Sequence, residues 1–389
     1  MSARANQRPR IGVNAQLLAL GASYHSAGSS RYLYSLLREL RALDAPEEVL
    51  AYLRPAHLPP DLQPTERFRP RYSHWPTERA AARIVWEQLA FPGQLRDDGV
   101  DLLHGGINAL PLGWRGRSVV TILDLSFIAM PWAFKPGNRV YLRVMTQLAA
   151  RRARSIIAIS ESTRRDVIRW LRAPAEHVHA IHCGVEERFA PVQDQSQVEA
   201  FRQAHDLPEQ FILYLGTIEP RKNLLRLLEA YASLRRRGAT TWPLVLAGGR
   251  GWGYEPVFER AAREDLRDTV RFAGFVTEDE KPLWYNAATL FVYPSEYEGF
   301  GLPPLEALAC GTPVVTSDRS SIPEVTGEAA MLVDPTQPNA IADGMQRVID
   351  DESLRQRLSS AGPAQARPFT WRRMAEATLA VYREAMHAA

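Results

Sequence analysis

The sequence predicts a parallel α/β protein made of two doubly wound domains. Three observations lead there. Short apolar runs alternate with helical ones along nearly the whole chain, which is how a parallel sheet wrapped by helices reads. The alternation restarts at Phe211 after a polar stretch, Ala190 to Ser196, that carries no strong period. A chain of 389 residues also has the length of roughly two domains. The stretch marks a linker, so domains are expected over 1–190 and 191–368.

The first half offers strands at Ile11 to Val13, Val49 to Leu53, Leu102 to His104, Val119 to Leu123, Ile156 to Ile159 and Val178 to His182. Helices are expected over Arg31 to Leu43, Arg79 to Leu95 and Val140 to Arg154. The second half gives strands at Phe211 to Gly216, Leu244 to Gly249, Val270 to Phe272, Leu290 to Tyr293 and Pro313 to Thr316. The proline-rich stretch Leu53 to Pro76 reads as an irregular surface region. Two doubly wound sheets of this kind bind ligands beyond the carboxyl ends of their strands, and two facing across a cleft make one site from two domains.

Composition narrows the function classes. An apolar fraction of 46% is that of a globular protein with ample core. No run of about 18 apolar residues occurs, which argues against a membrane-spanning helix. The polar, basic segment Met1 to Arg10 does not read as a signal peptide. Cys183 and Cys310 lie far apart, give no disulfide or metal-ligand spacing, and suit a cytoplasmic protein. Cys310 reads as a packed core thiol. Net charge is +3, unevenly shared: residues 1–190 hold 26 Lys and Arg against 17 Asp and Glu. The excess, concentrated between Arg139 and Arg172, suits either a solvated basic face or peripheral contact with an anionic membrane surface. No helix-turn-helix, zinc or aromatic RNA-binding pattern accompanies it, so nucleic acid is not an expected partner.

The stretch from Ser295 to Glu306 carries the chemistry. A buried strand, Leu290 to Tyr293, leads into a loop with Gly299 and Gly301 and then into a helix with Pro303 and Pro304 in its first turn. Free backbone N–H groups and the dipole of a helix start favour anions, and glycine allows close approach. Glu306, read in that first turn, can accept hydrogen bonds from a vicinal diol such as a ribose. The string reads as a sugar-nucleotide site.

With its continuation to Val315, this string resembles the E-x7-E signature of retaining glycosyltransferases of GT-B fold. The resemblance is to the large fourth family, which includes bacterial mannosyl- and glucosyltransferases. It implies two Rossmann-like domains facing a cleft, the acceptor held mainly by the first and the sugar nucleotide by the second. It also implies that the last helix, Trp371 to His387 within 369–389, packs back on the N-terminal domain. Gly216-Thr217-Ile218-Glu219-Pro220-Arg221-Lys222-Asn223 matches the family's phosphate site, and Arg221 and Lys222 would stabilise the leaving diphosphate. Glu298 would sit near the donor sugar and Glu306 at the ribose. Gly299, Phe300, Gly301 and Leu302 would offer backbone N–H groups. Thr217, Gly248 and Gly249 would approach the nucleotide, and Phe275 and Val276 resemble a base-contacting segment. Gly28 and Ser29, ahead of a helix, resemble a second glycine loop near the phosphate, and equally fit a capped helix start.

The strand end Val120 to Ser126 departs from the family: Leu123 stands where a histidine is usual, so Asp124 either contacts ligand in its place or caps a turn. His104, beside Gly105 and Gly106, reads as a cleft-mouth residue or a satisfied, partly buried histidine. Ser160 reads as a helix cap.

No D-x-D motif or carboxylate cluster calls for a metal, and no cofactor is implied. The expected activity is metal-independent, retaining transfer of a hexosyl unit to a saccharide or lipid-linked acceptor, from GDP-mannose first and a UDP-sugar next. A glycosidase pairing Glu298 with Glu306 would leave Arg221 and Lys222 idle, and a nucleotide-sugar epimerase would not need the whole string. A non-catalytic sugar-nucleotide-binding protein or transferase partner subunit is the alternative, favoured by Leu123.

Overall fold

The computed structural model describes residues 8–19, 27–54, 58–73 and 75–387. The basic residues 1–7, and positions 55–57 and 74 of the proline-rich stretch, lie outside the described residues. Contacts divide the chain into two units, one running up to Gly184 and regaining the chain from Trp371 onward, the other spanning Val185–Thr370.

The first unit contains strands β1 (Arg10–Asn14), β2 (Glu48–Leu53), β3 (Phe68–Tyr72), β4 (Leu102–His104), β5 (Arg117–Ile122), β6 (Ser155–Ala158) and β7 (Val178–Ala180). Its helices are α1 (Ala27–Ala42), α2 (Ala80–Leu89), α3 (Phe91–Asp97), α4 (Ser126–Ala129), α5 (Pro136–Arg152) and α6 (Glu161–Leu171). The strands form one parallel sheet in the order β3-β2-β1-β4-β5-β6-β7. Central strands such as β2 are buried along their length, as expected where helices cover both faces. On one face Phe91 stacks on Trp86 and meets Tyr52 edge-on.

The second unit runs α7 (Gln195–Ala204), β8 (Ile212–Leu215), α8 (Leu224–Arg236), β9 (Leu244–Ala247), α9 (Glu255–Ala261), β10 (Val270–Gly274), α10 (Lys281–Ala287) and β11 (Leu290–Tyr293). It continues with α11 (Leu302–Ala309), β12 (Val314–Ser317), α12 (Ile322–Thr326), β13 (Met331–Val333), α13 (Pro338–Asp350) and α14 (Glu352–Ala366). Its parallel sheet has the order β10-β9-β8-β11-β12-β13. Both units are thus doubly wound and Rossmann-like. Among the described residues no helix is long and apolar enough to cross a membrane.

Three local expectations change, and one short strand is added. The proline-rich stretch is not wholly irregular: Phe68–Tyr72 pairs with β2 as an edge strand, where Pro70 is tolerated because one side of the strand needs no ladder donor. The short strand β13 was hidden by its length. Arg79 to Leu95, expected as one helix, is broken at Ala90 into α2 and α3, with Pro92 in the first turn of the second. The stretch Ala190 to Ser196, expected as the linker, is anchored in the second unit: Val192 N–H donates to Asn286 Oδ1 at 2.8 Å, Asn286 Nδ2 donates to the Ala190 carbonyl at 3.0 Å, and α7 already starts at Gln195.

The last helix, α15 (Trp371–His387), belongs to the first unit and packs beside α1. Arg383 holds Glu47 through two hydrogen bonds of 2.6 and 3.1 Å. Tyr382 Oη lies 2.5 Å from His104 Nδ1, whose Nε2 is 2.8 Å from Thr121 Oγ1, itself 2.8 Å from Tyr32 Oη. His104 is therefore not at a cleft mouth. It is fully buried in a polar chain joining α15, β4, β5 and α1, and burial pushes its imidazole down to about 3.

Candidate active site

In the second sheet the winding direction reverses between β8 and β11. Loops leaving two such strands diverge and open a crevice at the carboxyl ends, where ligands of doubly wound sheets bind. Arg221 and Lys222 follow β8, and Glu298 follows β11. They lie 76 residues or more apart in sequence and meet in space.

Lys222 Nζ is 2.6 Å from Glu298 Oε1 and 2.6 Å from Tyr293 Oη. The Tyr293 and Ser295 hydroxyls also donate to Glu298 Oε1, at 2.9 and 2.7 Å. Arg221 Nη1 reaches Glu298 Oε2 at 3.3 Å and the Tyr297 carbonyl at 3.4 Å, while its Nε and Nη2 hold Glu219 at 3.2 and 2.9 Å. Burial alone would raise the Glu298 carboxyl. Lys222 and Arg221, with hydrogen bonds from Lys222 and Ser295, outweigh it and bring it down to about 2, so the group is anionic.

The backbone around these groups is tightly set. Arg221 and Lys222 occupy a 3-10 turn, Pro220–Lys222, ahead of α8 rather than its first turn. Asn223 closes that turn at φ 63° and donates through Nδ2 to the carbonyls of Pro294 and Pro335, tying the β8 loop to the end of β11. Gly301, at φ 106°, precedes α11, and a Cβ there would lie 2.7 Å from Ile322 Cδ1. Pro303 and Pro304 carry no N–H, so in the first three positions of α11 only Leu302 can donate from its backbone. Sequence reasoning missed Ser320 and Ser321, which hold this loop. Ser320 Oγ donates to the Glu298 carbonyl at 2.5 Å, and Ser321 Oγ lies 3.0 Å from that carbonyl and 2.8 Å from that of Phe300. A serine pair just after strand β12 and before a proline-started helix was the available signal.

Glu306 falls in the second turn of α11, not the first, because the helix begins at Leu302. It is 1% exposed and accepts from Tyr285 Oη at 2.9 Å. Phe300 turns its ring into the core against Phe369, and Gly299 sits beside it in the loop. Thr217 follows β8, its carbonyl accepting from Tyr214 Oη. Gly248 follows β9 at φ 146°, and a Cβ there would lie 1.9 Å from the Gly216 carbonyl oxygen, so its missing side chain serves the approach of two backbones. The Gly249 carbonyl accepts from Ile218 N–H at 2.9 Å. Phe275 and Val276 follow the edge strand β10, the first 50% exposed and the second buried.

In the first unit, Gly28 and Ser29 lie inside the first turn of α1 rather than ahead of it, and among the described residues nothing would lie within 4 Å of a Cβ on Gly28. The neighbouring Ser30 ties the helix start to Ala19 through Oγ. Asp124 Oδ1 accepts from Ser126 N–H and Oγ, at 2.9 and 2.5 Å, which is a turn cap at the start of α4. Leu123 N–H donates to Asn108 Oδ1. Ser160 caps α6 through Thr163 N–H. Cys183 and Cys310 are both buried, and burial pushes their thiols up. Among the described residues no three His, Cys, Asp or Glu side chains gather as a metal site.

Arg221 and Lys222 thus stand together at the switch point of a doubly wound sheet, the place where sheets of this kind bind ligands. Residues 26–189 match the family Glycosyltransferase Family 4, and residues 196–365 match Glycosyl transferases group 1. The O-antigen chain mannosyltransferase B of Escherichia coli is 33% identical over 290 residues, 74% of this chain and 76% of that one. The serotype-specific mannosyltransferase WbdA of Escherichia coli is 35% identical over 223 residues, 57% of this chain but only 27% of its own length. Sucrose-phosphate synthase from Thermosynechococcus elongatus superposes with a TM-score of 0.77 at 24% identity, covering 98% of this chain and 100% of that one. The chain belongs to the GT-B glycosyltransferases.

Proposed function

We propose that this glycosyltransferase moves a mannosyl unit from GDP-mannose, with retention of anomeric configuration, to a hydroxyl of a saccharide or lipid-linked saccharide. The observation that carries this reading is the convergence of Arg221 and Lys222 on Glu298 at the switch point of the second sheet. Mannose is favoured over glucose by the mannosyltransferase relatives, and GDP-mannose is the donor this reading takes first.

As the bond from the sugar's anomeric carbon to the diphosphate oxygen breaks, negative charge grows on the diphosphate. Arg221, as a planar fork, and Lys222, as a point charge, stabilise it best when already fixed in place. Glu298 and Glu219 fix them. Glu298, anionic at neutral pH, then accepts hydrogen bonds from the donor sugar, and Glu306 from the nucleotide ribose. Backbone N–H groups at Gly299 to Leu302 serve the phosphate and sugar hydroxyls. Thr217, Gly248, Gly249, Phe275 and Val276 flank the nucleotide, and Gly28 and Ser29 serve the phosphate. The acceptor oxygen bonds to the anomeric carbon on the face the diphosphate leaves, and its proton passes to a leaving phosphate oxygen. Protein cations supply the charge that a metal supplies elsewhere, so transfer proceeds in EDTA. Loss of activity on chelation, restored by Mn²⁺, would contradict this.

The reading includes a cytoplasmic enzyme whose exposed Arg143, Arg151, Arg165 and Arg169 rest on the anionic inner face of a membrane. Failure to bind anionic vesicles at low salt would remove that part. The alternative, a non-catalytic sugar-nucleotide-binding subunit, is favoured only by Leu123. One experiment separates the two: incubation with GDP-mannose labelled at the anomeric carbon and a mannobioside acceptor, followed by NMR. An α-linked product supports the reading, whereas a β-linked product or bound but unconsumed donor opposes it.

A further inference from the structure

The first sheet also has a point where its winding reverses, between β1 and β4. Three buried polar side chains that the donor site does not use gather there. Asn14 ends β1, Gln16 follows it, and Glu87 reaches in from α2. They are 8%, 2% and 6% exposed. Asn14 Nδ2 donates to Glu87 Oε1 at 3.3 Å, and Asn14 Oδ1 accepts from Gln16 N–H at 3.3 Å. Gln16 Oε1 accepts from Thr77 Oγ1 at 2.7 Å, but its Nε2 has no hydrogen-bond partner among the described residues. The backbones approach closely here: a Cβ on Gly106, just beyond β4, would lie 2.1 Å from the Asn14 carbonyl oxygen.

Resting on the glycosyl-transfer reading above, we propose that Glu87, Asn14 and Gln16 form a subsite that holds an uncharged sugar of the acceptor by its hydroxyls. A buried amide donor left unmatched is costly, and a sugar hydroxyl satisfies it while donating its own proton to a carboxylate. Vicinal hydroxyls match a neighbouring amide and carboxyl. A phosphorylated or acidic sugar does not once Glu87 is ionised, because its charge would meet the carboxylate. The groups facing Glu87 are Arg83 one turn earlier on α2, Tyr141 from α5 and the neutral Asn14 from β1. Burial pushes the Glu87 carboxyl up, and Arg83 offsets this only in part, to about 7. The Glu87 carboxyl therefore gives up its donor proton near neutral pH, while the Asn14 and Gln16 amides are unaffected.

The test is NMR titration of the full chain with methyl α-mannobiosides, and with mannose 6-phosphate as the charged comparison. Wild type, Glu87→Gln and Gln16→Leu are compared between pH 6 and 8. The expected result is that wild type binds the neutral disaccharide in preference to the phosphate, with an affinity that changes across this range. Each variant weakens binding about tenfold, and Glu87→Gln also flattens the pH dependence. Should Glu87→Gln not fold, Gln16→Leu decides alone. Unchanged binding in the folded variants, no binding of any neutral disaccharide, or preference for mannose 6-phosphate overturns the proposal. The thermal response to GDP, read on the same samples, reports the donor site separately: its absence in wild type counts against the donor reading, not against this subsite.

Discussion

Lys222 Nζ lies 2.6 Å from Glu298 Oε1, and each residue is 8% exposed. A buried ion pair is costly to break from one side, since the remaining charge is stranded: about 3–5 kcal/mol. Lys222→Met and Glu298→Gln are each expected to destabilise the protein by that order, and the double variant by clearly less than their sum. Denaturant unfolding of the three variants measures this, and additive losses would show that the pair is not coupled.

Arg221 is more exposed, with 22% of its side chain accessible. Its removal should cost rate more than stability. Arg221→Ala is expected to lower kcat by about 10²- to 10³-fold, the scale of losing one fixed transition-state donor. Initial rates alongside the melting temperature check it.

Acid should loosen the first unit through His104. The folded imidazole stays neutral down to about 3 while the unfolded one protonates near 6.5, so between those values the unfolded chain binds more protons. Its contribution is complete above 6.5 and is lost as pH falls towards 3. Glu298 acts in the same direction lower down, its contribution being lost as pH falls from 4.5 towards 2. Melting curves between pH 7 and 5 are expected to shift downward in wild type and less so in His104→Gln.

Gly248→Ala should destabilise the second unit by about 3 kcal/mol, because the new methyl meets the Gly216 carbonyl oxygen at an unfavourable φ. Equilibrium unfolding of the variant measures it, and a neutral result would mean that the β8 and β9 loops readily part.

Sequence periodicity reveals what each segment resolves locally. The buried strands β8 and β11 are near-continuous apolar runs, and α15 spans Trp371–His387 with a clear apolar stripe. It conceals what depends on distant partners. His104 leaves two readings open in the sequence, cleft mouth or satisfied buried histidine, because Tyr382, which decides for the second, is 278 residues away. Phe68–Tyr72 is masked by Pro70, whose tolerance depends on its edge position. Asp124 shows its capping role only once Ser126 is seen to donate twice. The Arg221, Lys222 and Glu298 residue types are visible in the string, but their mutual bonds, and the Asn14–Glu87 contact, come from tertiary structure alone.

The most direct measurement is a thermal-shift comparison of GDP, UDP, ADP and dTDP in EDTA, on wild type and Arg221→Ala. A ligand that binds only the folded state raises the melting temperature with its affinity. The predicted result is an increase with GDP that Arg221→Ala abolishes. No increase with any of the four nucleotides would contradict a nucleotide-sugar site at Arg221, Lys222 and Glu298.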